Sequence, residues 1–138
     1  MGAGIIECDV TFTQDGVLVC RHSECDLHTT TNIVTTDLNN KCTVPWTGAN
    51  QKPQPQCCTS DITLEEFKSL DAKMDASDPG APAAQGFLGG TASWRTDLYT
   101  GRAQVLTFSE SIALNRKLGV KHVPELKSAT YQDRVDAI

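Results

Sequence analysis

The sequence predicts an α/β domain, and three observations carry that prediction. Two β-rich runs flank an Asp15-Gly16 turn signal near the N-terminus, and a capped helix feeds straight into a strand near the C-terminus. Between them lies a long Pro-, Gly- and Cys-rich stretch that reads mostly as loop.

The first run, Ile5 to Val10, is apolar except for Glu7 and Asp9. Strand side chains alternate between faces, so Glu7 and Asp9 project together while Ile6, Cys8 and Val10 pack the other way. An ionised carboxylate buried without a partner costs at least several kcal/mol, so such a pair is expected to hold a cation, meet a basic group or line a wet cleft. The second run, Val17 to His22, follows too closely for a helical crossover, because parallel neighbours need a connection of about a dozen residues. The two runs are therefore joined locally, as a hairpin or a sharply bent excursion.

From Ser23 to Asn40 the chain is polar and Thr/Asn-rich, and Lys41 to Ser60 is a Cys/Pro/Gln loop. Asp61 to Leu70 reads as a helix: Thr63 and Glu66 have capping-box spacing, and Leu64, Phe67, Leu70 and Met74 form an apolar stripe. Ala76 to Gln104 carries Pro79, Pro82 and many glycines, and is expected to be an excursion with short local structure. Within it, Trp94 to Tyr99 is expected to anchor the loop to the core, or to cover a pocket. A second capping box, Thr107 with Glu110, opens a helix over Ser109 to Leu118; Gly119 stops it, and Val120 to Leu126 reads as a strand. Pro124 lacks a ladder donor and fits best near a strand end or bulge. Glu125 and Lys127 again share a face.

The chain has 138 residues and a formal net charge of −5. That length suffices for one modest domain burying roughly two-thirds of its unfolded surface. The acidic balance argues against nucleic acid or an anionic membrane as partner, and no apolar stretch approaches the roughly 20 residues of a membrane span. The first residues lack the basic-then-apolar order of a signal peptide. Six cysteines nevertheless argue for an oxidising compartment, and their spacings match no zinc pattern. Connectivity stays open, and two readings stand: full pairing, or bridged loop cysteines with Cys8 and Cys20 as buried thiols.

Glu7, Asp9 and Glu125 make a hard oxygen-ligand set suited to Ca²⁺ or Mg²⁺, with other coordination positions left to water or a phosphate. Lys127 beside them suits a phosphate oxygen, and His22, ending its run, suits proton transfer near neutral pH. Together they point to metal-assisted phosphodiester chemistry; the bland reading of Glu125 and Lys127 is a simple ion pair. His122 lies an odd number of residues from Glu125 and is expected on the opposite face, in packing or solvent contact. His28, in a Thr-rich segment, is expected to be exposed.

These residues resemble the glycerophosphodiester phosphodiesterases. Gly4 to His22 looks like that family's Glu-x-Asp strand, Thr-x-Asp-Gly turn and histidine, and Leu114 to Lys127 resembles its Glu-x-Lys strand. Asp26 to Asn32, Cys57 to Thr63 and Trp94 to Tyr99 look like a secreted, cysteine-bearing branch with a long insertion. The resemblance implies part of a (β/α)₈ TIM-type barrel, roughly its second to fourth strands, occupying residues 1–138 with a loop-rich region at about 40–106. It implies Glu7, Asp9 and Glu125 as ligands of a divalent cation, Ca²⁺ or Mg²⁺, His22 as acid/base, and Lys127 on the phosphate. The implied reaction is hydrolysis of a glycerophosphodiester to an alcohol and glycerol 3-phosphate, in a secreted or periplasmic location.

Two departures stand out. The family's first-strand His-Arg motif has no counterpart before Glu7, and Ser23 follows His22 where most members have Asp. An internal piece of such an enzyme, with little or no activity alone and self-association through exposed barrel edges, is therefore expected. The rival readings are a non-catalytic, disulfide-stabilised secreted binding module and a sphingomyelinase-D-like phospholipase on the same barrel.

Overall fold

A computed structural model describes residues 4–95 and 103–127. Strand β1 spans Ile5–Phe12 and β2 spans Leu18–Cys20; they pair antiparallel, with Val10 opposite Cys20 and Phe12 opposite Leu18. The hairpin reading holds, and its turn has a clear cause. Thr13 Oγ1 donates to Asp15 Oδ1 at 2.6 Å and accepts from the Val17 amide, while Gly16 takes a φ of 80°. That backbone angle strains any residue with a Cβ.

Helix α1 covers Leu27–Thr30 and α2 covers Leu64–Lys68, the latter with the expected Thr63–Glu66 capping box. The helix is shorter than the Asp61-to-Leu70 reading because Thr59–Asp61 forms a separate 3₁₀ turn before it. Phe67 and Leu70 of the expected stripe are buried, Leu64 packs against the same core, and Met74 is only partly buried. Strand β3, Asp71–Ala72, pairs antiparallel with β4, Ala103–Gln104, in a small second sheet, with α3, Ala84–Phe87, between them.

Helix α4 runs Phe108–Leu118 behind the Thr107–Glu110 capping box and ends at Gly119, whose φ is 69°. Strand β5, Lys121–Leu126, follows and pairs parallel with β1, so the main sheet has the order β2-β1-β5. Pro124 sits inside β5 without breaking it. Lys121 and Lys127 donate their amides toward β1, so at the opposite parity the Pro124 nitrogen faces away from β1, toward an edge with no paired strand among the described residues. Among the described residues only β1 and β5 run parallel, and β2 turns back against them.

All six cysteines are paired: Cys8 with Cys20, Cys25 with Cys58, and Cys42 with Cys57. This is full pairing, and Cys8 and Cys20 are not thiols. Adjacent Cys57 and Cys58 reach different partners, which pins the Pro/Gln loop at one point. Among its described residues the stretch between residues 40 and 106 has only short elements, yet it supplies much of the core: Ile62, Phe67, Ala81, Phe87 and Val105 pack with Val19, Leu27 and Ile33. Buried Thr59 and Thr11 share a hydroxyl bond of 3.1 Å, tying this stretch to β1. Trp94 is 77% exposed and does not anchor the loop, while its Nε-bearing ring is faced by Arg95 at 4.8 Å; Thr96 to Tyr99 lie outside the described residues. No described helix is long and apolar enough to cross a membrane.

Candidate active site

The parallel pairing of β1 with β5 builds the site. Its register sets Glu7 opposite Val123 and Asp9 opposite Glu125, so the two i, i+2 pairs seen in sequence land side by side on one face. Oxygens of Glu7, Asp9 and Glu125 lie within 4.8 Å of one another. Lys127 Nζ, from just beyond β5, sits 2.9 Å from Glu125 Oε1 and 3.2 Å from Asp9 Oδ1.

Three acids beside one base leave an electrostatic imbalance. The abutting Glu125 carboxyl, and then the Asp9 charge, push the Glu7 pKa up. Glu125 moves the other way, held below its usual range chiefly by Lys127, and Lys127 is raised in return by Glu125. Asp9 Oδ1 is shielded from solvent and makes no aligned hydrogen bond, although it lies within ion-pair distance of Lys127. A shielded oxygen whose basic neighbour, Lys127, is shared with Glu125, in a crowd of three carboxylates, fits a hard divalent cation.

Glu7, Asp9, Arg21, His22, Leu106 and Ser111 line one open cleft of about 270 Å³. His22 is exposed and enters from the end of β2, while buried Ser111 reaches in from α4. Cys8–Cys20 joins β1 to β2, and both cysteines also line this cleft. The Arg21 amide bonds the Asp9 carbonyl at 2.9 Å, which fixes the start of the loop after β2 against the acid-bearing strand. The sequence reading missed Arg21 and Ser111. Arg21, next to His22, was legible as a cation at a strand end; nothing in the spacing marks Ser111.

The other histidines are elsewhere. His122 is turned from the acids and its ring packs on Phe108 at 5.2 Å, as strand parity requires. His28 is not exposed but half-buried, with Nδ1 shielded and unpartnered. Burial pushes its pKa down, against smaller upward effects of Asp26 and Asp75. A larger cavity of about 500 Å³ near Asn32, Asp71 and Gln85 shares no residue with the site. Lys73, on its wall, spends its ammonium on the carbonyls of Thr29, Met74 and Ala76.

The family model described as the glycerophosphoryl diester phosphodiesterase family matches residues 1–137. The chain is 30% identical over 137 residues to glycerophosphodiester phosphodiesterase GDPD6 of Arabidopsis thaliana, covering 96% of this chain and 32% of that protein. A glycerophosphodiester phosphodiesterase structure from Agrobacterium tumefaciens superposes with a TM-score of 0.52 at 23% identity, covering 99% of this chain and 41% of that one. A solved chain from Silicibacter pomeroyi aligns with a TM-score of 0.56 at 20% identity, over 96% of this chain and 39% of its own length. The structural likenesses show a shared fold. The chain spans about a third of the curated relative and about two-fifths of the solved chains.

Proposed function

The chain belongs to the glycerophosphoryl diester phosphodiesterase family, and we propose that it carries the cation-binding part of a site that hydrolyses glycerophosphodiesters to an alcohol and glycerol 3-phosphate. The observation that carries this reading is the meeting of Glu7, Asp9 and Glu125 across two parallel strands with Lys127 beside them. In this reading residues 1–138 form part of a phosphodiesterase barrel, with residues at about 40–106 as its insertion. Three disulfides are consistent with an extracellular protein, and a secreted or periplasmic setting is part of the proposal.

Glu7, Asp9 and Glu125 would hold Ca²⁺ or Mg²⁺. Such an ion, when bound, supplies charge neutralisation at the phosphate. Lys127 adds a compact positive charge for a phosphate oxygen, at the cost of sharing its donors with Asp9 and Glu125. His22, exposed at the cleft mouth, holds the proton that goes to the departing alkoxide. The cleft presents one imidazole among its described lining residues, so slow turnover by these residues alone belongs to the proposal. So does self-association: Ile5, Val123 and Leu126 leave 60%, 49% and 40% of their surface exposed along β1 and β5.

The test is release of glycerol 3-phosphate from glycerophosphocholine with Ca²⁺, with Mg²⁺ and with chelator. Weak, cation-dependent release that Glu7→Gln and His22→Ala each abolish is expected. Robust release that persists in Glu7→Gln contradicts the assignment.

A further inference from the structure

Arg21 is placed as a ligand-binding side chain rather than as a structural one. Its side chain is only 14% exposed, it lines the cleft of Glu7, Asp9 and His22, and its Nε is shielded without a hydrogen-bond partner among the described residues. Its ion-pair partner among the described residues is Asp26, whose Oδ1 lies 3.5 Å from that Nε. That separation is long for a charge-assisted bond, which prefers about 2.7–2.9 Å.

Asp26 is also committed elsewhere. Its Oδ2 accepts from the Ser23 amide at 3.3 Å, its Oδ1 accepts from the Thr30 hydroxyl at 3.3 Å, and its carbonyl caps Thr29 and Thr30. Asp26 therefore shapes the loop after His22 and sets a counter-charge near Arg21 without satisfying it. A shielded guanidinium donor held only by a long ion pair is under-satisfied, and a ligand acceptor in the cleft would complete it. The ligand that fits is an anion small enough for an open cleft of about 270 Å³ and able to accept from a planar fork.

We propose that Arg21 binds a non-bridging oxygen of a phosphate group in this cleft, acting from the β2 side while the carboxylate cluster and Lys127 act from the β1–β5 side. The ligand class is a phosphomonoester or phosphodiester of a small polyol. The inference deepens the proposed reaction and rests on that reading for the identity of the polyol; the anion site itself stands on Arg21. It also gives the cleft a second positive group on the wall that carries His22, which orients a bound phosphate between the acids and the imidazole.

Glycerol 3-phosphate is titrated by calorimetry into the full chain and into Arg21→Gln, Arg21→Lys and Asp26→Asn, each with and without Ca²⁺, and Ca²⁺ is titrated alone. Losing a hydrogen bond to a charged group should weaken glycerol 3-phosphate binding by about 10- to 100-fold in Arg21→Gln. Arg21→Lys should keep part of the affinity, Asp26→Asn should keep most of it, and Ca²⁺ binding should be unchanged in Arg21→Gln. Equal affinity in Arg21→Gln and the parent, no binding by the parent, or equal losses in Arg21→Gln and Asp26→Asn would each overturn the proposal. Absence of Ca²⁺ binding with Arg21-dependent phosphate binding intact supports the anion site and counts against the cation reading alone.

Discussion

Replacing Cys8 and Cys20 together by alanine is expected to separate the two halves of the site. The bond closes a sequence separation of 12, for which cross-linking entropy is worth about 2.8 kcal/mol at 25 °C. The Thr13-to-Val17 turn and the β1–β2 pairing already hold these ends together, so the loss should fall at or below that figure. At about 3–4 °C per kcal/mol for a chain of this size, Tm should drop by at most about 10 °C. The site should respond unevenly. Glu7, Asp9 and Glu125 are held by the parallel register from Ile5–Lys121 to Val10–Leu126, which the substitution leaves alone. His22 hangs from β2, two residues beyond Cys20, and loses its covalent tie to β1, keeping only the backbone pairing and the Arg21 amide–Asp9 carbonyl bond. Calorimetry should therefore find Ca²⁺ affinity close to the parent's, while glycerol 3-phosphate release falls about tenfold or more through misplacement of the imidazole. An unchanged Tm, or a cation affinity lost in step with turnover, would refute this division of labour.

Phe67 is fully buried in the core formed by the 40–106 stretch, so Phe67→Ala should cost about 3–5 kcal/mol in chemical denaturation; a loss below 1 kcal/mol, well under that expected range, would mean the stretch is not integral to the core. Thr107→Ala removes the α4 cap and should cost about 1 kcal/mol by the same measurement. Glu66, held low by Lys41, Glu110, held low by Lys68, and Asp15, held low by the Thr13 hydroxyl, have folded pKa values below their ordinary ones. Their stabilisation is present above the ordinary carboxylate range and lost as pH falls through the lowered values, so Tm should decline on acidification below about pH 4, with the decline blunted in Glu110→Gln. Glu7 runs the opposite way: its raised pKa favours the folded state at low pH, and its proton competes with a cation, so Ca²⁺ affinity should rise with pH through that titration.

The i, i+2 pairs were legible because strand parity alone puts Glu7 with Asp9 and Glu125 with Lys127 on shared faces. Both capping boxes were legible because Thr63 with Glu66 and Thr107 with Glu110 act locally. What brings the two pairs together was not local. It is the in-register parallel pairing of Asp9 with Glu125 across more than a hundred residues of chain, and that likeness was readable only through the family resemblance. The disulfide partners were hidden for the same reason. Cys57 and Cys58 are neighbours that pair with different partners, Cys42 and Cys25, and spacing carries no trace of that choice. His28 read as exposed because its neighbours are threonines; the fold half-buries it because Leu27 beside it is core and the Lys73 and Ala76 amides bond the Thr30 and Thr29 carbonyls of α1. Trp94 read as an anchor from its type, and the fold leaves it outside.

The hydrolysis proposed for this site rests on Glu7, Asp9 and Glu125 acting together as one cation site. Calorimetric titration of Ca²⁺ and Mg²⁺ into the chain, beside Glu7→Gln, tests it most directly. Loss of a mere supporting contact to a metal ligand already costs roughly 10–100-fold in affinity, so removal of a ligand charge should cost at least as much. Saturable binding of a single ion by the parent and a loss of that size in Glu7→Gln are expected. No saturable binding, or equal binding by the variant, would contradict it.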